Sequence, residues 1–183
     1  MDSKIIAFAI ESHAKVNQTY DGKPYSVHLI MAFIQGMRFI HIIPEERRED
    51  VLNALWLHDT VEDCRLTYND ILKMTNKKVA DLVYAVTNEK GRNRKQRANS
   101  KYYKGIREEQ DAIFIKMSDR LANVKYSRDK LPNSRMFNVY KEENDDFLKH
   151  LFINKEQEIE YKEMIEALKD SFIFCKSIPQ PAD

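Results

Sequence analysis

The sequence predicts an all-α fold, and three observations carry that prediction. Apolar residues recur at three- and four-residue spacing through most of the chain, whereas convincing alternating strands and internal repeats are both absent. Only four glycines and five prolines punctuate 183 residues, too few for the many tight turns of a β-sandwich. The expectation is therefore a bundle of about eight to ten helices with no significant sheet. Residues 1–183 are expected to form one domain, since a chain of this length can bury a sizeable core.

Taken in order, Ser3 is placed to cap a first helix whose apolar face is Ile6, Ala9, Ile10, His13 and Ala14, ending before Asn17. Asp21-Gly22-Lys23-Pro24 is a turn. A second helix carries Leu29, Ala32, Phe33, Gly36, Met37 and Ile40. Pro44 suits the first position of a third, with Glu45 and Glu46 favourable at its positive end. That helix runs through Val51-Leu52-Asn53-Ala54-Leu55-Trp56 and delivers His58 and Asp59 at its C-terminal end. Thr67 with Asp70 has the form of a capping box, and Asn76 can cap a helix with Val79, Leu82, Val83 and Val86 on one face. After a basic stretch from Lys90 to Lys104, Ile113, Met117, Leu121 and Val124 form a stripe at helical spacing with Asp119 beside it. Leu131-Pro132-Asn133-Ser134 is a break. Two closing helices are expected over about 134–174, one on Met136, Val139, Tyr140, Phe147 and Leu151, the other on Ile159, Met164, Ile165, Leu168 and Phe172.

Composition bounds the function. Thirty Lys and Arg against 29 Asp and Glu leave a net charge of +1, so the bulk charge does not point to nucleic acid. The most apolar window, residues 29–43, is too short to span a bilayer and is broken by Gln35, Arg38 and His41. Two cysteines, Cys64 and Cys175, make no disulfide framework, and the N-terminus lacks the apolar core of a signal peptide. A cytoplasmic protein is the expectation.

The chemistry concentrates at Leu57-His58-Asp59-Thr60-Val61-Glu62-Asp63, where four ionisable groups follow a greasy helix. Desolvating such groups is costly, and a cation resolves the conflict by taking a neutral imidazole and a carboxylate as ligands. Further ligands are available in His28 and Asp119. Two imidazoles and two carboxylates are borderline-hard donors suited to Mn²⁺, Fe²⁺, Co²⁺ or Zn²⁺.

These residues sit in recognisable surroundings. Gly22-Lys23-Pro24-Tyr25-Ser26-Val27-His28, Leu57 to Asp63, Val86-Thr87-Asn88-Glu89-Lys90 and Lys116-Met117-Ser118-Asp119-Arg120-Leu121-Ala122-Asn123 occur in that order. Together they resemble the HD superfamily of metal-dependent phosphohydrolases. Within it they are most similar to the hydrolase domain of the bifunctional alarmone enzymes and to small alarmone hydrolases of the Mesh1 type. The likeness covers about residues 4–150.

The resemblance implies one HD-type domain that hydrolyses the 3′-pyrophosphate of guanosine tetra- or pentaphosphate with Mn²⁺, a small nucleotide being its partner. It implies His28, His58, Asp59 and Asp119 as metal ligands and Glu62 and Asp63 as the catalytic pair. Asn123 matches a nucleotide contact, and Lys90 is expected to neutralise phosphate. The chain departs from the family at Gln18-Thr19-Tyr20-Asp21, where an Arg-Lys pair is usual and the Arg stacks on the base; Tyr20 is expected to stack instead. Tyr126 stands where relatives have a small Thr, Tyr140 lies within reach of the pocket, and Leu29 replaces a proline after His28. No synthetase segment follows, which predicts a hydrolase-only protein. The alternatives are a phosphatase for another nucleotide, such as the 2′-phosphate of NADPH, and a metal-bound binding module without turnover.

Overall fold

Twelve α-helical segments and one short hairpin make up the computed structural model, which describes residues 2–130 and 134–173. The helices are α1 (Ser3–Lys15), α2 (Ser26–Phe39), α3 (Glu45–Leu57), α4 (Thr60–Asp63), α5 (Tyr68–Met74), α6 (Lys77–Val86), α7 (Arg94–Arg97), α8 (Ser100–Glu108), α9 (Ala112–Arg128), α10 (Arg135–Leu151), α11 (Lys155–Glu160) and α12 (Lys162–Asp170). The all-α expectation holds. Setting aside the four-residue turns α4 and α7, ten helices remain, the upper end of the expected number.

Local chemistry explains most boundaries. Asp2 caps α1, its carboxylate accepting from Lys4 N at 2.9 Å, so the cap falls one residue before the expected Ser3. At the other end Asn17 turns left-handed (φ 54°) while Gln18 N–H donates to His13 O and Asn17 N–H to Ala14 O. That pair of bonds satisfies carbonyls the helix leaves free. The buried face of α1 is Ile5, Ala9, Ser12 and His13, turned slightly from the expected stripe, with Ile10 37% exposed. The expected turn at 21–24 is the tip of a hairpin. Thr19–Tyr20 (β1) pairs antiparallel with Lys23–Pro24 (β2), and Asp21 (φ 54°) and Gly22 (φ 74°) take the positive φ angles that Asp-Gly favours between strands. The capping box at Thr67 and Asp70 and the cap at Asn76 form as expected. Of the expected break, Leu131, Pro132 and Asn133 lie outside the described residues, while Ser134 caps α10. The last expected helix is two, α11 and α12, parted at Tyr161. Tyr161 is buried in place of Ile159, which is 73% exposed.

The core gathers around α9, whose contact with α2 is the most extensive in the molecule. Leu29 and Ala32 from α2, Leu55 and Leu57 from α3, Leu82 and Val83 from α6, and Phe114, Met117 and Leu121 from α9 are all fully enclosed. Each such large side chain contributes about 1.5–3 kcal/mol by leaving water. Gly36 permits the close crossing: a Cβ there would run into the Leu55 side chain and touch Phe114 and Ser118. Met37, on the expected apolar face of α2, instead points outward and is 45% exposed. α3 is charged at its start and buried from Asn53 to Leu57, so its C-terminal end plunges into the core and carries His58 with it. Among the described residues no helix is long and apolar enough to cross a membrane.

Candidate metal centre and its cavity

His58 and Asp59 occupy the two-residue junction between α3 and α4, and the backbone there explains their types. The end of α3 leaves carbonyls without helical partners. His58 Nδ1–H donates to Leu55 O at 2.8 Å and Thr60 Oγ1–H donates to Leu57 O at 2.6 Å. Because a carbonyl only accepts, His58 carries its proton on Nδ1, and Nε2 presents a lone pair inward. This is the arrangement a metal-ligating histidine ordinarily has.

Onto that lone pair converge side chains remote in sequence. His28 Nε2, from the first turn of α2, lies 3.2 Å from His58 Nε2. Asp59 Oδ2 is 3.0 Å from His58 Nε2 and 3.3 Å from His28 Nε2. Asp119 Oδ1, from α9, is 3.3 Å from His28 Nε2 and 3.9 Å from His58 Nε2. The donor atoms of His28, His58 and Asp119 all fall within 4.8 Å of one another, and all three residues are buried. Bonds of about 2.1 Å to a common ion would set neighbouring donors roughly 3.0–3.4 Å apart in octahedral or tetrahedral geometry. The spacing and the N/O donor set therefore fit a divalent ion.

The electrostatics point the same way. Burial alone would pull His28 down, but Asp119 and Asp59 outweigh it and raise it to about 9, so the cluster draws positive charge to its centre. Burial pushes Asp119 up, yet Lys116, whose Nζ donates to Oδ2 at 2.9 Å, and the histidines hold it well below the usual carboxylate range. Asp59 is likewise held low, against burial, by the two imidazoles.

Three of these four residues, His28, Asp59 and Asp119, line a cavity of about 680 Å³, with His58 behind them. Glu62 and Asp63, one helical turn beyond Asp59, face into it from α4. Their surroundings differ. Glu62 Oε2 accepts from Asn88 Nδ2 at 2.8 Å, and Oε1 lies 3.5 Å from Arg97 Nη1. Asp63 is pushed up to about 6, first by burial and then by the charges of Asp59 and Glu62, with the neighbouring Tyr25 and Gln18 side chains opposing. Arg94, Lys95, Arg97, Lys116 and Arg120 bring positive charge to the same cavity. Lys90 is exposed and is not among the lining residues; the basic stretch contributes instead through α7.

A second cavity of about 380 Å³ adjoins the first, with Asn123 and Tyr140 lining both. Tyr20 and Tyr126 line it too, their rings 4.8 Å apart at 64°. Tyr20 lies over His28 (4.9 Å, 20°) and donates its hydroxyl to Asn123 Oδ1 at 2.9 Å; Asn123 Nδ2 in turn donates to Asp119 Oδ1 at 2.5 Å. The hairpin is strapped to α9 by Tyr126 Oη–H to Asp21 at 2.8 Å and by Lys130 pairing with Asp21. Cys64 is buried, its thiol pushed up to about 12 by burial and then by Asp63 and Asp59, which suits packing rather than nucleophilic attack.

Sequence reasoning gave no role to three residues that the geometry ties to the centre: Lys116 on Asp119, Asn88 on Glu62, and Tyr25, whose hydroxyl donates to Asp59 Oδ2 at 2.6 Å. Each lies inside one of the four motif blocks, three to five residues from a residue already singled out, except Asn88, which sits two before Lys90.

No protein-family model matches the chain. It is 34% identical over 125 residues to a guanosine-3′,5′-bis(diphosphate) 3′-pyrophosphohydrolase of Aquifex aeolicus. It is 32% identical over 77 residues and 28% identical over 123 residues to the MESH1 enzymes of that name from Drosophila melanogaster and Danio rerio. These matches take in 64%, 42% and 66% of this chain but only 16%, 43% and 65% of the relatives. A solved structure described as a metazoan ortholog of SpoT that hydrolyzes ppGpp superposes with a TM-score of 0.65 at 21% identity, over 94% of this chain and 98% of that one. The chain is a distant homologue of the ppGpp 3′-pyrophosphohydrolases, with their HD-type hydrolase domain. His58 and Asp59 at the α3–α4 junction, with His28 from α2 and Asp119 from α9, form the buried cluster of this chain.

Proposed function

We propose that this HD domain hydrolyses the 3′-pyrophosphate of a guanosine tetra- or pentaphosphate, using one Mn²⁺ held by His28, His58, Asp59 and Asp119. The observation that carries the reading is that His28, His58, Asp59 and Asp119 converge beside a cavity that is also lined by Glu62, Asp63 and the guanidinium groups of Arg94, Arg97 and Arg120. When bound, a divalent ion there acidifies water and polarises the phosphoryl group.

The chain's own residues supply the rest. Glu62, anchored by Asn88 and facing Arg97, keeps lone pairs directed into the cavity and orients the attacking water. Asp63, pushed up to about 6 first by burial, serves as the proton carrier: it takes the proton that the attacking water gives up and delivers one to the ribose O3′ as the O3′–P bond breaks and pyrophosphate is released. Arg94, Lys95 and Arg97 gather the remaining phosphates by concentrating positive field at the cavity mouth. Tyr20, Tyr126, Tyr140 and Asn123 form the wall for the nucleoside in the second cavity. Lys90, outside the lining, takes at most a steering role.

Turnover of guanosine 3′,5′-bis(diphosphate), its adenosine analogue and NADPH, each with Mn²⁺, tests the reading. The guanosine compound is expected to be fastest, with pyrophosphate released. Glu62→Gln is expected to lower kcat by about 10²–10⁴-fold, the usual worth of a positioned acid–base group, while Mn²⁺ still binds. Faster release of phosphate from NADPH would favour the second reading, an HD phosphatase for another nucleotide, which the tyrosine-rich wall and the missing Arg-Lys pair support. Mn²⁺ binding without turnover of any compound would leave a binding module.

A further inference from the structure

Of the four candidate donors, Asp59 is the one on the shortest and least regular piece of backbone. It sits between two helices with φ −100° and ψ −2°, and its side chain makes no cap bond of its own. A carboxylate in that position turns easily about its χ angles unless something holds it. Tyr25 Oη–H donates to Oδ2, the oxygen that faces both imidazoles. That bond takes one lone pair of Oδ2 and leaves the other directed at the cluster.

The phenol is itself fixed. Its ring stacks flat on His13 (4.4 Å, 7°) and meets Tyr20 and His28 edge-on. His13 is buried, with Nδ1–H donating to Ala9 O at 2.8 Å one turn back in α1, while its Nε2 has no partner. His13 meets Tyr25 through its flat face, while its Nδ1–H is spent within α1. A chain of contacts thus runs from α1 through two stacked rings to a carboxylate of the centre.

We propose that Tyr25, braced by His13, is a positioning residue that fixes Asp59 as a one-oxygen ligand and thereby sets the affinity of the site for its divalent ion. The inference rests on the metal reading of the cluster. It predicts that α1, which contributes no donor of its own, controls metal affinity through the His13–Tyr25 stack. Hydrogen-bonding partners that orient ligands ordinarily account for about 10–100-fold in metal affinity.

The test is titration of the chelator-treated full chain with Mn²⁺, followed by the electron paramagnetic resonance signal of free Mn²⁺, with Tm measured in the presence and absence of the ion. Tyr25→Phe keeps the stack and removes only the hydroxyl; it is expected to raise the Mn²⁺ Kd by about 10–100-fold and to shrink the Tm rise that Mn²⁺ confers. His13→Phe preserves the flat face and is expected to bind Mn²⁺ as the native protein does. His13→Ala removes the brace and is expected to weaken binding. A Tyr25→Phe protein with native Kd and a native Mn²⁺-dependent Tm rise overturns the proposal, even if both its Tm values fall together, since that pattern marks a purely structural tyrosine. Absence of Mn²⁺ binding by the native chain instead overturns the metal reading itself.

Discussion

Asp119→Asn is expected to abolish manganese-dependent turnover and, in the same stroke, to destabilise the metal-free protein. The two losses have different causes. Asp119 Oδ1 faces His28 and His58, so a neutral amide there removes a charge that the ion needs; a loss of at least about 10³-fold in kcat is expected, the upper range for deleting one fixed electrostatic group. Asp119 Oδ2 holds Lys116, whose side chain is only 19% exposed and whose ammonium is kept charged against burial by this carboxylate. With the carboxylate charge gone, Lys116 keeps Tyr102, whose ring centroid is 5.7 Å away, and an uncharged amide oxygen in place of its counter-ion. Removing one partner of a fully buried pair costs about 3–5 kcal/mol; the residual exposure of Lys116 scales this to about 2 kcal/mol. Asp119→Asn combined with Lys116→Met separates the effects. The double variant is expected to regain most of the stability in urea unfolding while remaining inactive. Equal stability of the two variants would show that Lys116 does not depend on Asp119.

Much of this arrangement was written in short motifs, and the reason is physical. Leu57 to Asp63 places a histidine and an aspartate where a helix ends, and the freed carbonyls of Leu55 and Leu57 require donors that His58 and Thr60 supply. Local hydrogen bonding therefore fixes the tautomer and the direction of His58, and that much is legible in seven residues. The same holds for the caps at Thr67 and Asn76. What escaped is what depends on how elements cross. The apolar spacing of α2 marks Leu29, Ala32 and Gly36 correctly but not Met37, because α2 is apolar around most of its circumference and only its packing on α9 decides which side is inside. The basic stretch shows its charge in sequence, yet whether Lys90 or Arg94 and Arg97 face the cavity depends on where α7 lies. Tyr25 stood in a quoted motif without a role, since its partner Asp59 is 34 positions away. The Asp21-Gly22 turn was legible, but not the strand pairing it closes, which brings Tyr20 onto His28 and Asn123.

The centre draws donors from α2, from the junction that follows α3 and from α9, so whatever fixes α3 to α9 also helps to fix the cluster. The strongest polar tie between them is Arg47 on α3 with Asp111 at the start of α9: Nε to Oδ2 at 2.9 Å and Nη2 to Oδ1 at 3.2 Å, a two-point contact on a buried carboxylate. Asp111 also adopts φ 76°, in the left-handed region, which aspartate tolerates better than most residues. Asp111→Ala is expected to lose the pair and to strain the backbone together. Breaking a buried pair costs about 3–5 kcal/mol; with 27% of the Arg47 side chain still hydrated, about 2–3 kcal/mol is expected for the pair, with about 1 kcal/mol more for alanine at positive φ. The sum corresponds to a fall in Tm of roughly 6–16 °C for a chain of this size. Asp111→Gly isolates the first cost, because glycine accepts the angle, and is expected to be about 1 kcal/mol more stable than Asp111→Ala. Asp111→Asn keeps tolerance of the angle and a neutral hydrogen bond, and should be the mildest of the three. Urea unfolding of the three variants checks the order. A glycine variant no more stable than the alanine variant would remove the backbone from the explanation, leaving the guanidinium–carboxylate contact as the tie between α3 and α9, two of the helices that position the centre.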